Sequence, residues 1–404
     1  MVEYDVIIVG GGPAGSTTAR RIAQVGLNVL LLDKDEFPRT KPCAGGIRFA
    51  VSELLDFDLS SVNHRRISGL SIFAPAGYRV DCVPEDRSKP GHTVMREEFD
   101  QLLVQKAAEA GADVKENAEV IDVQEQTSSV TVTSIDGSTY TSKYVIGADG
   151  INSLVARQLG FYKRWEPSSA SVAIEIEAEV GENKVRDICG EPSGYDADLL
   201  LLYFGEFSHG YCWAFPKKSV LSLGACCRLD KVSNIRAGYT NWYSKFKDEY
   251  EIDPKILSDT SARFPVLQAD TIVKGRALLI GDAAGLVDAF TGEGIPEAIQ
   301  SGILAASAIQ SAVEKSNPHL LNEYEKECKW KIISELKVTQ SLASLFYKSR
   351  KNMETICRFF RDDPYARYLI AAALGGLLTQ KDVKRKMTLR MMKTTPRDAL
   401  SLYM

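Results

Sequence analysis

The apolar positions of this chain change period several times, and the changes mark out its organisation. Val6 to Val9 form a short continuous apolar run, GGGPAG (Gly10 to Gly15) follows, STTARRIAQVG keeps helix-compatible spacing, and a second apolar run ends at Asp33. Short apolar runs bounded by glycine read as buried strands, so the opening predicts strand, tight turn, helix, strand. From Ile67 to Val94 the texture differs: ISGLSIFAP, GYRVDCV and GHTVM alternate and are broken by Pro and Gly, which predicts short antiparallel strands. Arg96 opens REEFDQLLVQKAAEAGA, whose Phe99, Leu102, Leu103 and Ala107 keep helical spacing up to a stop at Gly111. Strands are predicted next in ADVKENAEVIDVQEQ, SVTVTSIDGSTYTS and KYVIGADG, with Asp136-Gly137 as a hairpin turn.

Alternation returns between about Gly160 and Phe264, in SVAIEIEAEV, DADLLLLYFGEF, GYCWAFPKK and VLSLGACCRL. Strict alternation means one buried face and one that is wet or turned to a ligand, as in an antiparallel sheet. Arg276 to Ile309 then predicts strand, loop and a long small-residue helix, and Leu320 to Met404 reads as helices. The fold class is therefore α/β (α+β overall). A discontinuous Rossmann-like domain is expected over residues 1–66, 95–160 and 265–330, an antiparallel-sheet domain over 67–94 and 161–264, and a helical region over 331–404.

With 404 residues the chain can bury a large core in two or three domains, and 45% hydrophobic with 25% charged residues is an ordinary globular composition. A net charge of -4 argues against nucleic acid as the main partner. Cys43, Cys82, Cys189, Cys212, Cys226, Cys227, Cys328 and Cys357 are scattered without a CxxC, and His64, His92, His209 and His319 lack metal-binding spacing, so no metal site is expected. The N-terminal apolar run is too short for a signal peptide and no stretch approaches a membrane span. These features predict a cytoplasmic protein with mostly free thiols.

The glycine-rich turn is the first candidate for chemistry. In a dinucleotide-binding βαβ unit Gly10 permits the turn, Gly12 lets the backbone approach a pyrophosphate, and Gly15, beside Ala14, lets the helix lie close to the sheet. The helix N-terminus offers free N–H groups and about half a positive charge to the phosphates. Asp33, ending the second strand, is placed to accept from a ribose. Two further strands run into Gly-Asp loops, GADGINSLVAR (Gly147 to Arg157) and GDAAGLVDAFTGEGI (Gly281 to Ile295).

With these three motifs in order, the sequence resembles the FAD-dependent hydroxylases and reductases with the para-hydroxybenzoate hydroxylase type of fold. The resemblance implies FAD as cofactor, with Asp149 in the first Gly-Asp loop and Asp282 in the second, the latter on the ribityl chain. Gly294 and Ile295 would present N–H groups to the flavin. It also implies that Arg96 reaches the pyrophosphate or ribityl region and that Val120 makes the adenine-side backbone contact. Read singly, Asp149 and Asp282 fit turn residues equally well, and Arg96 a solvated helix residue.

PCAGGI (Pro42 to Ile47) and YCWAFPKKSVLSLG (Tyr211 to Gly224) resemble two signatures of the geranylgeranyl reductase family, whose members saturate isoprenoid chains. The first matches that family's cysteine-glycine loop beside the flavin, which assigns Cys43, Ala44 and Gly46 to the cofactor. The second matches its lipid-binding signature. Ser208, Ala289 and Ala44 depart from common family residues. Tyr211, Trp213 and Phe215 share one face of a strand that Pro216 ends, an apolar wall for a polyprenyl substrate or, on spacing alone, a core strand. Cys43 is the candidate proton donor; shaping the pocket, or a passive role, stays open. Lys41 and Arg39 suit a phosphate or solvent.

The reading is thus an FAD reductase of isoprenoid lipid chains, drawing electrons from a ferredoxin or NAD(P)H. The alternatives are a flavin monooxygenase or halogenase, and a flavin-binding sensor without turnover. YLIAAALGGLLTQ followed by KDVKRKMTLRMMKTTPR suits either an amphipathic helix with a basic tail peripheral to a membrane or a packed terminal helix with a solvated face.

Overall fold

The computed structural model describes residues 3–402. They divide into two compact units, one running through Thr40 and comprising also Arg96–Ser169 and Phe264–Leu336, the other Lys41–Met95, Ala170–Arg263 and the chain from Lys337 onward.

The first unit is built on a mostly parallel sheet. Its strands lie in the order Val273–Lys274, Ala277–Leu279, Thr139–Gly147, Tyr4–Val9, Val29–Leu32, Asp113–Lys115. All but the first are parallel to their neighbours. Ile7, Ile8, Leu30, Leu31, Leu32, Val145 and Ile146 are solvent-excluded, as strands covered on both faces must be. At about 1.5 to 3 kcal/mol per fully buried aliphatic side chain, these runs alone contribute on the order of 10 kcal/mol. Two helices, Pro13–Gln24 and Ile295–Glu314, pack so tightly that a Cβ on Gly302 would lie 2.7 Å from Ala14 O and from Thr18 Oγ1. The strands expected separately in STYTS and KYVIG are one, Thr139–Gly147: its first half pairs antiparallel with Val130–Ser134 and its second half parallel with Tyr4–Val9.

The second unit holds a nine-stranded sheet, with a path from Lys255–Pro265 through Ala170–Glu179, Val220–Arg228, Gly210–Pro216, Asp198–Phe204, Arg65–Phe73 and Gly91–Thr93 to Gly46–Ile47. Residues 161–264 are not strand throughout. Helices Glu182–Cys189 and Ile235–Tyr250 cover one sheet face, burying Ile174, Ile176, Leu199, Leu201, Cys212, Ala214, Leu221 and Leu223 against Val185, Tyr239, Trp242 and Phe246. The opposite face carries Glu175, Glu177, Leu200, Leu202, Tyr211, Trp213, Phe215 and Ser222.

Two expected boundaries shift. The loop after Thr40 belongs to the second unit rather than to the nucleotide domain up to residue 66, because Gly46–Ile47 pairs with Gly91–Thr93 in the second sheet. The C-terminal apolar and basic stretches form separate helices, Pro364–Leu374 and Gln380–Thr394, since Gly376 adopts φ +70° between them. No helix among the described residues is long and apolar enough to cross a membrane.

Candidate functional site

The glycine turn is fixed by what surrounds it. Gly10 has φ +105°, and a Cβ there would lie 2.3 Å from Ala148 O; a Cβ on Gly15 would lie 1.9 Å from Gly10 O. Gly12 differs, because the first atom its Cβ would meet is Arg39 Nη2 at 3.8 Å. Its turn is open on the side where a phosphate would approach, and a guanidinium waits there. The helix beginning at Pro13 has no side-chain cap and no acid in its first turn, so its N-terminal N–H groups remain available to an anion.

Behind the turn, Asp100 is solvent-excluded and takes a bidentate pair from Arg96 (2.8 and 2.7 Å) and a contact from Arg39 Nη2 (3.2 Å). Arg96 is therefore not a solvated helix residue. Buried Arg96 and half-buried Arg39 thus converge on one aspartate, with Asp35 Oδ2 3.8 Å from Arg39 Nε, and the two guanidiniums are held in place as donors for a pyrophosphate. Asp100 was not singled out in the sequence, although Arg96 and Asp100 stand four apart on one helix face.

Asp33 is buried, and both its oxygens already accept backbone N–H groups, Oδ2 from Gly11 and Oδ1 from Asp35. It shapes the turn; each carboxylate oxygen keeps a second lone pair for a ribose. Ala118 N–H donates to Asp33 O at 2.8 Å, which brings the chain leading to Val120 beside this carboxylate's strand end.

The first Gly-Asp loop abuts the glycine turn through Ala148, whose N–H donates to Val9 O. Asp149 Oδ2 accepts from Leu154 and Val155 N–H, at 2.7 and 3.2 Å, and so joins the N-cap Ser153, which accepts from Ala156 N–H, in satisfying the first turn of the short helix Leu154–Gln158. Its Oδ1 is buried and has no protein partner, and burial pushes the carboxyl's pKa up. One oxygen thus serves the turn and the other is left over for a ligand or a proton.

In the second Gly-Asp loop, Gly281 lies with its Cα side 3.1 Å from Ala14 Cβ, measured from a Cβ built on the glycine, so this loop meets the start of the first helix. A Cβ on Gly294 would lie 3.6 Å from Asp282 Oδ1. Gly294 heads the helix Ile295–Glu314, which also lacks a side-chain cap and has Pro296 in its first turn. Asp288, missed in the sequence, folds the intervening loop by accepting Phe290 and Thr291 N–H at 2.7 and 3.0 Å. Its position two residues before Phe290 is an ordinary Asx-turn signal. Two uncapped helix N-termini, an open glycine turn with paired arginines and an unpartnered carboxylate oxygen together fit a flavin dinucleotide.

The second unit gathers the other candidates. Gly45 N–H donates to Cys43 Sγ at 3.4 Å, and Cys43 is half-buried. A Cβ on Gly46 would lie 3.0 Å from Phe215 Cε2, and one on Gly45 would lie 3.5 Å from Lys217 Cε. Thr93 Oγ1 donates to Pro216 O. The cysteine loop, with Ala44 in it, is therefore packed on the end of the aromatic strand. Along that strand, Tyr211 and Trp213 are buried with centroids 6.1 Å apart, while Phe215, Leu200 and Leu202 are only half-buried. The wall is part core and part open apolar face. Trp213 covers Gly224, where a Cβ would be 2.2 Å from its Cζ2, and its Nε1 donates to Ser222 Oγ at 3.1 Å.

Residues 3–334 match the model of the FAD binding domain family. Digeranylgeranylglycerophospholipid reductase 1 of Methanococcoides burtonii is 28% identical over 380 residues, 89% of this chain and 88% of that protein. A geranylgeranyl bacteriochlorophyll reductase-like protein from Thermoplasma acidophilum superposes with a TM-score of 0.79 at 24% identity, covering 96% of this chain and 99% of the other. The halogenase PltM, solved with phloroglucinol and FAD, gives 0.72 at 18% identity, over 99% and 94%. Both structures share the fold. The resemblance to geranylgeranyl reductases read from the cysteine loop and the aromatic strand thus extends over most of the chain. The chain belongs to the FAD binding domain family, among FAD-dependent oxidoreductases, and FAD is its cofactor.

Proposed function

We propose that the protein saturates carbon–carbon double bonds of geranylgeranyl-type lipid chains. The observation that supports this most is the packing of the Cys43 loop onto the Phe215 end of the Tyr211–Phe215 wall. A reducible chain needs an apolar bed beside a polar, proton-bearing loop. At about 0.8 kcal/mol per buried CH₂, a twenty-carbon chain gains on the order of 10 kcal/mol on such a bed before ordering costs, so few polar contacts are needed. FAD, once reduced, supplies a hydride. The chain's own residues must bind the lipid, hold the double bond in a near-attack geometry and deliver one proton to the second carbon. Tyr211, Trp213, Phe215 and Pro216 serve the first task, and the Cys43 loop serves the last two.

In the first unit Gly12, Arg39, Arg96 and the helix starting at Pro13 take the pyrophosphate. Asp33 and the chain near Val120 take the adenosine side, and Asp149, Asp282, Gly294 and Ile295 the ribityl and flavin side. An Arg39→Met variant is expected to lose one charge-assisted phosphate contact, about 1.5 to 3 kcal/mol, which weakens FAD by roughly ten- to a hundredfold in a fluorescence titration of apoprotein.

The test of the reaction is anaerobic. Holoenzyme reduced with dithionite is mixed with a digeranylgeranylglycerol phospholipid, and the lipid mass should rise by two hydrogens per bond. Oxygen-dependent hydroxylated or halogenated products with no such rise would instead establish the chemistry of the halogenase-like neighbours. Flavin that no prenyl lipid reoxidises would mark a binding protein without turnover. Cys43→Ala is expected to slow single-turnover reoxidation by roughly a hundredfold, the usual contribution of a positioned acid, and an unchanged rate removes the thiol from the chemistry.

The reading includes electrons from a ferredoxin-class or nicotinamide donor and a peripheral encounter with anionic lipid. The helices Gln380–Thr394 and Pro396–Ser401 expose Leu389, Met392 and Leu400 among Arg385, Lys393 and Arg397. Replacing Arg385, Lys393 and Arg397 by Gln should cut binding to phosphatidylserine vesicles by roughly a hundredfold at about 1 kcal/mol per charge, read by co-sedimentation.

A further inference from the structure

Behind the aromatic wall the second unit buries three charged side chains that the reaction described above leaves unused. Glu175 and Glu177 stand two apart on the strand Ala170–Glu179, on the sheet face that carries Trp213 and Phe215. Lys217 follows Pro216 and is about 1% exposed. Its Nζ donates to Glu177 Oε1. Ser222 Oγ donates to Glu175 Oε1 at 2.8 Å and accepts from Trp213 Nε1.

Glu177 Oε2 is buried with no hydrogen-bond partner, so a single ammonium and one hydroxyl are the only donors to the two carboxyl groups among the described residues. Two buried carboxylates two residues apart on one strand face, beside a single ammonium, would leave one negative charge uncompensated, which favours a proton on one of them. One ammonium therefore faces two carboxyls that hold one proton, a neutral set in a buried site. The other titratable groups close to Glu175 are Cys226 on the same face of the neighbouring strand and the Tyr239 hydroxyl on the covering helix. Both are pushed up by burial and stay neutral. Burial pushes the Glu175 carboxyl up to about 8, Lys217 opposes the rise and Glu177 adds to it.

The position of the set matters as much as its charge. Lys217 passes its stem against Gly45, whose N–H donates to Cys43 Sγ, so Lys217 links the buried carboxyl pair to the cysteine loop. We propose that Glu175, Glu177 and Lys217 are a proton store that supplies, at the cysteine loop, the proton consumed with each hydride. This inference rests on the reductase reading. For each double bond saturated, the hydride bonds to one alkene carbon and the π pair takes a proton at the other. That proton leaves the Glu175 carboxyl and passes along Glu177 and Lys217, and Glu175 regains one from water. The two electrons come from a reductant of the ferredoxin or nicotinamide class, replaced by dithionite in the test.

Two readouts on FAD-loaded wild type, Glu175→Gln and Glu177→Gln separate this from a structural role. Infrared titration should show a protonated carboxyl C=O band at neutral pH that disappears through about pH 8 in wild type and is missing in Glu175→Gln. Single-turnover reoxidation by a geranylgeranyl lipid should slow above about pH 8 in wild type, because the raised group loses its proton there. Glu175→Gln, which cannot donate, should be roughly tenfold slower or more and flat with pH, with unchanged FAD content. Glu177→Gln is the second variant, read in its own right should Glu175→Gln not fold, and should shift the limb to lower pH because a neighbouring negative charge is removed. An absent band, or the wild-type pH limb retained in both variants, overturns the proton store. A wild type that shows the band but never reoxidises with the lipid overturns the reductase reading and leaves the buried proton in place.

Discussion

Gly15→Ala should yield a protein that folds with little or no FAD. The added methyl would stand 1.9 Å from Gly10 O, 3.1 Å from Gly10 C and 3.2 Å from Ala148 Cβ. Backbone cannot rotate away as a side chain can, so the helix Pro13–Gln24 must lift off the strand Tyr4–Val9. Overpacking of that kind costs about 1 to 3 kcal/mol, and a clash with a carbonyl oxygen falls at the upper end. Stability loss is the smaller consequence. The same shift moves the uncapped N–H groups and opens the distance to Arg39, so the phosphate contacts weaken together. A loss of roughly a hundredfold or more in FAD affinity is expected, for about 3 kcal/mol of displaced contacts. The check is flavin absorbance per protein after purification, with circular dichroism to show retained structure. Gly12→Ala is the control: its methyl meets no atom closer than 3.8 Å in the protein, so it should fold normally and lose FAD only through crowding of the phosphate itself.

The contrast between these glycines also shows what the sequence could and could not convey. The motif's order was legible because each glycine answers a local demand: a positive φ at Gly10, a close approach at Gly15. The two Gly-Asp loops were legible for a similar reason, since a buried strand and a helix N-terminus each leave a short-range signature. What escaped were partners distant in sequence. Asp100 orders Arg39 from 61 residues away, and no local pattern announces that pair. The helix Ile235–Tyr250 escaped because its buried Tyr239, Trp242 and Phe246 are aromatics set among charges, a texture that also suits a strand edge. The loop after Thr40 was assigned to the first unit because it follows the nucleotide strand. Only the pairing of Gly46–Ile47 with Gly91–Thr93 assigns it to the second. In the aromatic wall the sequence showed three rings on one face, and it also showed Gly224. The reason for a glycine at that register stayed hidden until the indole was seen lying on it.

That glycine carries the second large expected effect. Trp213 and Gly224 are directly opposite on paired strands, and Gly224 in turn faces Glu175 on the third. A methyl at Gly224 would fall 2.2 Å from Trp213 Cζ2, 2.5 Å from its Cε2 and 2.6 Å from Ile174 O, so the ring must leave the sheet surface. Once tilted, Trp213 Nε1 no longer reaches Ser222 Oγ, and the hydroxyl that serves Glu175 loses its donor. The ring would then project toward half-buried Phe215, Leu200 and Leu202, across the bed proposed for the lipid. Gly224→Ala is therefore expected to raise the lipid KM by roughly tenfold or more, since an indole turned into an apolar bed removes on the order of 2 kcal/mol of chain burial. FAD content should be unchanged, because the displaced ring and its partners all belong to the second unit. Pairing the variant with Trp213→Leu separates a tilted ring from a disturbed strand. The smaller side chain relieves the ring clash but not the contact with Ile174 O, so if the ring is the main cause the double variant regains part of the lipid affinity lost by Gly224→Ala, giving a coupling energy of roughly 1 kcal/mol or more. Additive losses would instead locate the damage in the pairing of Val220–Arg228 with Ala170–Glu179, where the methyl meets Ile174 O, and the indole would lose its place as the floor of the lipid bed.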